Sequence, residues 1–212
     1  MRYSSFGPAL AAALLGGAAF AAAPPAAPPA PAAAPAAAAG LHYTLDAGKS
    51  SLQFTFLQAG AQNSGRFPRF AVALDFPGAD PAGGRLDVMV EVAALDTGDK
   101  DRDDTLKSDD LFAVKKFPQA HFSATQIVRT AAGFEAAGNL TIRGVTRPAT
   151  VPFTFREATE GGATVGYMAG KTVLRRLDYG VGQGEWKATD QAGNEVTVSF
   201  SLRLTAATRP GA

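Results

Sequence analysis

The chain has 212 residues, no cysteine, two histidines and a formal net charge of +1. The lack of Cys excludes disulfides, thiol nucleophiles, thiolate metal sites and a cysteine-linked lipid anchor. The near-neutral balance argues against a nucleic-acid binder, which would carry a strong basic excess.

The N-terminal segment reads as export and spacer sequence. Arg2 supplies one positive charge, residues 9–20 form a short apolar stretch, and two small-x-small sites, 19–21 and 21–23, end it. Residues 1–23 are therefore expected to be a signal peptide, too short to span a bilayer as a mature helix. Residues 24–40 contain only Ala, Pro and a final Gly, a semi-rigid linker without side chains to build a core. The domain is expected over 41–207, with 208–212 as a tail. The expected destination is a bacterial periplasm.

Within the domain, period-two alternation dominates. Leu52, Phe54 and Phe56 point one way, and Phe70, Val72, Leu74 and Phe76 form the next row. Leu86, Val88 and Val90 follow, then Ala120, Phe122 and Ala124. Phe134 and Ala136 lead to Leu140 and Ile142, and Val151, Phe153 and Phe155 come after them. Residues 165–177 give a blurred strand, and the last is the clearest, with Val196, Val198, Phe200, Leu202 and Leu204 facing in. Gly, Pro and Asn/Asp clusters separate the runs. About eight such strands predict an all-β fold, an antiparallel barrel or sandwich. An eight-stranded barrel is either filled by its own side chains or holds one small ligand. The alternation leaves both open.

One stretch breaks the pattern. Between 96 and 122, twelve of 27 residues are charged, against 18% in the whole chain. Ser108 followed by Asp109 and Asp110 has the form of a helix start. Leu106, Leu111, Phe112 and Val114 would give it an apolar face, and Phe117-Pro118 would end it. A short helical insertion near 103–116 is expected, of the kind that usually covers or closes something. Its aspartates do not match a calcium-loop spacing. His121 alternates with inward Phe122 and belongs on the outer face. Near the C-terminus, Gly180, Gly182 and Gly184 form a loop that carries Trp186, the sole tryptophan. Neither element makes a catalytic motif: no Ser sits in a nucleophile elbow, and the histidines lack metal-ligand spacing.

Several segments together resemble the YceI-like, polyisoprenoid-binding family. They are Arg102-Asp103 with Leu106-Lys107-Ser108, Asp110, Phe112, Val114 and the run Lys116-Phe117-Pro118; the stretch from Gly138 to Pro148; and Arg176, Asp178 and Gly180. The opening strand, with Leu45-Asp46, Phe54 and Gly65-Arg66-Phe67, is similar too, so the likeness extends from Tyr43 to Leu204. It implies an exported, eight-stranded, lipocalin-like antiparallel barrel holding an elongated isoprenoid lipid, a polyprenyl chain or an isoprenoid quinone. No catalysis and no cofactor are implied. Where members often carry His, this chain has Gln58 and Thr105.

The implied lumen lining is Leu52, Phe54, Phe56, Phe70, Val72, Val88, Val90, Phe122, Leu140, Phe153, Val198 and Phe200. Arg102, Phe112 and Trp186 are expected at the mouth or a partner contact. Family members occur beside or fused to di-haem membrane cytochromes, which implies such a partner. An exposed strand edge or a swapped helix would support a homodimer. Two other readings stand beside the carrier: an envelope interaction module with a filled barrel, and an enzyme acting on a lipid in the cavity.

Overall fold

The computed structural model describes residues 40–77 and 80–208, so the expected signal peptide and nearly all of the linker and tail lie outside the described residues. Ten strands form one antiparallel sheet: β1 (Leu41–Leu45), β2 (Ser51–Gln58), β3 (Ala61–Arg66), β4 (Phe70–Phe76), β5 (Arg85–Glu91), β6 (Gln119–Thr130), β7 (Gly133–Ile142), β8 (Val145–Glu160), β9 (Ala163–Arg175) and β10 (Ala192–Thr208). They occupy eight positions around a closed barrel. Along one edge of β10, residues 204–208 pair with β1 and residues 192–201 pair with β2, so β1 and β2 share a position end to end. β4 pairs with β1 and β3 with β2, so those two share the next position. A short 3-10 turn, Ala47–Lys49, breaks the first pair. Pro68, which lacks an N–H for the ladder, stands in the break of the second. The β1–β10 and β1–β4 ladders close the sheet on itself and leave the short, polar β3 with an outer edge that is bridged at Arg66–Asp96.

The two ends of this barrel differ. At one end lie the turns that link β4 to β5, β6 to β7 and β8 to β9, and here the interior is solid. Tyr43, Leu74, Ala136 and Leu204 are all 0% exposed. The Tyr43 ring meets Phe76 and Phe155 at centroid distances of 5.3 and 5.4 Å, and Phe153 stacks on Phe134 at 5.6 Å. The Tyr43 hydroxyl donates to Glu157, which satisfies the one polar atom of this aromatic cluster. Gly166 makes room for it: a Cβ there would strike the Phe155 ring at 2.7 Å and crowd the Tyr43 ring at 3.1 Å. A bulge in β6 between Ala124 and Gln126 shifts the facing, so that Ala124 and Ile127 are both buried at 1%.

The opposite end is covered by two excursions. The first contains α1 (Lys100–Lys107), so the helical insertion is present but begins earlier than its expected start. Asp99 is the N-cap, its carboxylate accepting from the Arg102 N–H at 3.1 Å, and Asp101 and Asp103 lie in the first turn near the positive dipole end. Asp103 also accepts from Thr97 Oγ1 at 2.7 Å, fixing the entry to the helix. Ser108, expected to start the helix, is its C-cap, because an equally good acidic cap nine residues upstream captures the N-terminus. Leu111 and Phe112 follow in turns. The second excursion links β9 to β10 through two 3-10 turns, Arg176–Tyr179 and Gly184–Lys187. The two covers are tied together. The N–H groups of Gly182 and Gln183 donate to the Asp109–Asp110 stretch through the Asp110 carbonyl, at 3.1 and 2.7 Å. Arg143, on the β7–β8 turn, donates to the carbonyls of Gly180 and Asp109, both at 2.6 Å.

Candidate functional site

The covered half of the barrel is hollow. A cavity of about 500 Å³ runs from beneath α1 and the 176–191 excursion down to Met168, Leu86 and Leu202, where the packed half begins. Its size lies in the range typical of small-molecule sites. A filled barrel is thus found only in the half built on Tyr43.

Every strand but β1 and β3 supplies the wall through its inward row. β2 gives Leu52, Phe54 and Phe56; β4 gives Phe70 and Val72; β5 gives Val88 and Val90; β10 gives Val198 and Phe200. Phe122 on β6 and Leu140 on β7 complete the set. Eleven of the twelve residues expected in the lumen therefore stand on the cavity wall. Phe153 does not: it is 3% exposed, packed on Phe134 in the solid half, because its inward face lies too far along β8 to reach the hollow part. The three residues expected at the mouth, Arg102, Phe112 and Trp186, all line the cavity.

Other contributors come from outside the strands. Leu106 and Leu111 from the α1 excursion, and Tyr179 and Val181 from the 176–191 excursion, pack together over the mouth. Alternation carries no signal for such positions. Leu111 and Val181 are 4% and 5% exposed, a small hydrophobic cluster of their own that holds the two covers in contact. Burial raises the Tyr179 phenol above its ordinary pKa, with the nearby Asp178 carboxylate adding to that and Arg147 opposing it, so the group stays neutral.

Polar groups in the lining are few. Asp99, Asp101, Arg102 and Thr105 contribute from α1, with Gln58, Thr172 and Arg176 from the strands and the turn after β9. Arg102 is matched by Asp99 at 3.5 Å. Arg176 is 8% exposed and donates only to backbone carbonyls: Nε to Gly193 at 2.9 Å, Nη1 to Val181 at 2.9 Å and Nη2 to Ala192 at 2.6 Å. It thereby knits the second cover to the start of β10. Gly182, at φ +119°, lies flat against this guanidinium, and a Cβ there would collide with Nη1. Both histidines sit away from the cavity, His42 against Asp75 at 2.6 Å and His121 against Asp87 at 2.8 Å on the outer wall. The site is thus an apolar sleeve, packed shut at its foot, with polar atoms gathered at its mouth. It is shaped to enclose a chain.

Comparison with known proteins agrees with this geometry. The crystal structure of BcnA from Burkholderia cenocepacia superposes with a TM-score of 0.68 at 32% identity, covering 75% of this chain and 98% of that one. A polyisoprenoid binding domain from Saccharophagus degradans, implicated in plant cell wall breakdown, gives a TM-score of 0.58 at 18% identity, over 78% of this chain and 98% of that one, a likeness of fold. Among sequence relatives, the UPF0312 protein YE1254 of Yersinia enterocolitica is 37% identical over 87 residues, 41% of this chain and 45% of that protein. The UPF0312 protein plu2095 of Photorhabdus laumondii is 34% identical over 84 residues, 40% and 44% of the two chains. The matched segment thus spans less than half the length of these two relatives. The model of the YceI-like domain matches residues 43–204, the whole barrel from Tyr43 to Leu204, and the chain belongs to the YceI-like family.

Proposed function

We propose that this protein is an exported periplasmic carrier that sequesters an elongated isoprenoid lipid, a polyprenyl chain or an isoprenoid quinone, in the hollow half of its barrel. The observation that carries the reading is the cavity itself: about 500 Å³, walled by aliphatic and phenyl side chains, with its foot sealed by the Tyr43 cluster. The polyisoprenoid-binding neighbour from Saccharophagus degradans supports it.

At roughly 30 Å³ per methylene-sized group, the volume of a liquid-packed water, the cavity takes about 16 carbons. That is about three isoprene units, so a longer chain would leave its remainder at the mouth. Enclosing ~16 carbons from water is worth on the order of 13 kcal/mol gross, at ~0.8 kcal/mol per CH₂. Immobilising the chain offsets much of it. The role needs no catalytic group. Docking on a di-haem membrane cytochrome would bring a quinone cargo to its user, and a homodimer is compatible with the free outer edge of β3, which beyond β2 has only the Arg66–Asp96 bridge.

Native mass spectrometry of the protein taken from an exported preparation, with solvent extraction of the same sample, tests the proposal. A bound mass matching a polyprenyl compound or quinone is the expected result. A bare protein mass that persists after incubation with both lipid classes would sink it.

A further inference from the structure

The cavity wall holds one cation that has no counter-charge among the described residues. Arg176 lines the cavity and is 8% exposed. Its acceptors are the neutral carbonyls of Gly193, Val181 and Ala192, and more loosely that of Ala188 at 3.5 Å. A guanidinium carries five N–H donors. Four are used in this way, and one N–H on Nη1 has no acceptor among the described residues. No ion pair among the described residues includes Arg176, whereas Arg102, the other arginine in the lining, is matched by Asp99. Burial alone pulls the Arg176 pKa below the ordinary arginine value, with no carboxylate near enough to act on it. An arginine nonetheless keeps its charge in proteins.

The energetics of pairing are unusual for such a group. Burying an ion pair commonly gains little, because both partners lose their hydration. Here the cation has already lost its hydration on folding, and the carbonyl ring holds its fork in place. An incoming oxyanion therefore meets a pre-oriented donor in a poorly screened wall, where a charge-assisted hydrogen bond is strongest.

We propose that Arg176 is the head-group receptor of the lumen, and that the cargo is an acidic amphiphile: an apolar chain ending in a phosphate or carboxylate whose oxygen accepts the free Nη1 N–H. This rests on the carrier reading and narrows it to a class of head group. The apolar sleeve holds the chain, and the carbonyl-held guanidinium at the turn after β9 holds its charged end.

The test titrates full-length, delipidated protein with geranylgeranyl phosphate, geranylgeranoic acid and geranylgeraniol, which share a chain and differ in head group. Trp186, the sole tryptophan, lines the cavity and serves as the fluorescence reporter. The wild type is expected to bind the two acids at least about tenfold more tightly than the alcohol. Arg176→Met is expected to bring the three ligands to within about twofold of one another, whatever loss of affinity the loosened second cover imposes on all of them alike, and Arg176→Lys to restore part of the preference. A preference for only one of the acids identifies the oxyanion. Equal binding of the three ligands by the wild type, or a preference kept by Arg176→Met, overturns the head-group proposal and leaves the carrier reading standing. No binding of any of the three defeats the carrier reading itself. Inorganic phosphate is expected not to displace geranylgeranyl phosphate; displacement at comparable concentration would make this a free-phosphate site and overturn the proposal. Should Arg176→Met fail to fold, nitrogen-15 NMR of the wild-type guanidinium decides. Its Nη signal shifts with the prenyl phosphate and not with the alcohol, and no shift refutes the contact.

Discussion

The division of the barrel into a hollow half and a solid half can be tested with two additions of the same ring. Val198 lies on the cavity wall, paired across the sheet with Phe54 on one side and Thr172 on the other. Val198→Phe adds four carbons. At roughly 30 Å³ each these remove about a quarter of the 500 Å³ cavity. If four carbons of ligand are displaced, binding loses up to about 3 kcal/mol at ~0.8 kcal/mol per CH₂, or up to ~200-fold in Kd. Outward sliding of the chain would reduce that figure. The ring enters empty space, so the delidipated protein should keep its stability or gain some. Ala136, 0% exposed in the packed half, has no such space. Ala136→Phe should cost at least about 1–3 kcal/mol in overpacking and leave the affinity of the folded fraction near that of the wild type. The assays are urea unfolding of delipidated protein and Trp186 fluorescence titration with geranylgeraniol. If Val198→Phe binds as the wild type does, or is destabilised as much as Ala136→Phe, the hollow half is not where the ligand goes.

Three further outcomes follow from individual contacts. Gly182→Ala must place a Cβ against Arg176 Nη1 at φ +119°, so it should lower stability by about 1–3 kcal/mol and weaken lipid binding as the second cover shifts, both readable by urea unfolding and titration. Burial, then the Glu157 hydrogen bond and charge, raise the Tyr43 pKa far above its value in the unfolded chain, so the unfolded state loses this proton first. Stability from this source is complete below about pH 10 and falls above it, and Tyr43→Phe should flatten the alkaline limb of a stability–pH profile. Glu160 is held below the usual carboxylate range by hydrogen bonds from Tyr167 and then Arg203, so its contribution is present above about pH 4.3 and lost as pH falls; Glu160→Gln should shrink the acid limb of the same profile.

Alternation proved a good guide to facing and a poor guide to depth. The inward rows of β2, β4, β5 and β10 are those read from the sequence, because a closed barrel imposes one face on every strand. Phe153 has the same inward signature as Phe54, yet one packs the solid foot and the other lines the cavity. That distinction depends on where each strand's register sets it along the barrel axis, which is a long-range property. The kinked strand pairs were hidden for a related reason. β3 is polar and carries no apolar row, and β1, though Leu41, Tyr43 and Leu45 alternate along it, is only five residues long, so neither identifies its continuation in β4 or β2. The helix start was misplaced because Ser108 and Asp99 are both plausible caps, and the choice is made by Asp103 reaching Thr97. Arg176 was legible only as part of a motif. Its role as the pin of the second cover comes from carbonyls 5 to 17 residues away, which no local pattern encodes.

An apolar sleeve explains retention in water but not loading. The interior of a bilayer is as apolar as the side chains of the lumen, so moving a prenyl chain from membrane to cavity exchanges one hydrocarbon setting for another and gains almost nothing from the ~0.8 kcal/mol per CH₂ that holds it against water. The chain also loses freedom on entry. Direction must therefore come from the parts of the site that differ from a bilayer. The first is the mouth, where the α1 and 176–191 covers are joined by a small hydrophobic cluster and a few backbone hydrogen bonds, far less than the ladders that close the barrel below. Parting them costs little compared with opening the sheet, so exchange at this end is the low-energy route. The second is Arg176, a desolvated cation with a donor to spare, which gives a head group a contact unlike its hydrated place at the membrane surface. In this account the sleeve sets how much chain is carried, while the mouth and its arginine set which lipid is taken and where it is released.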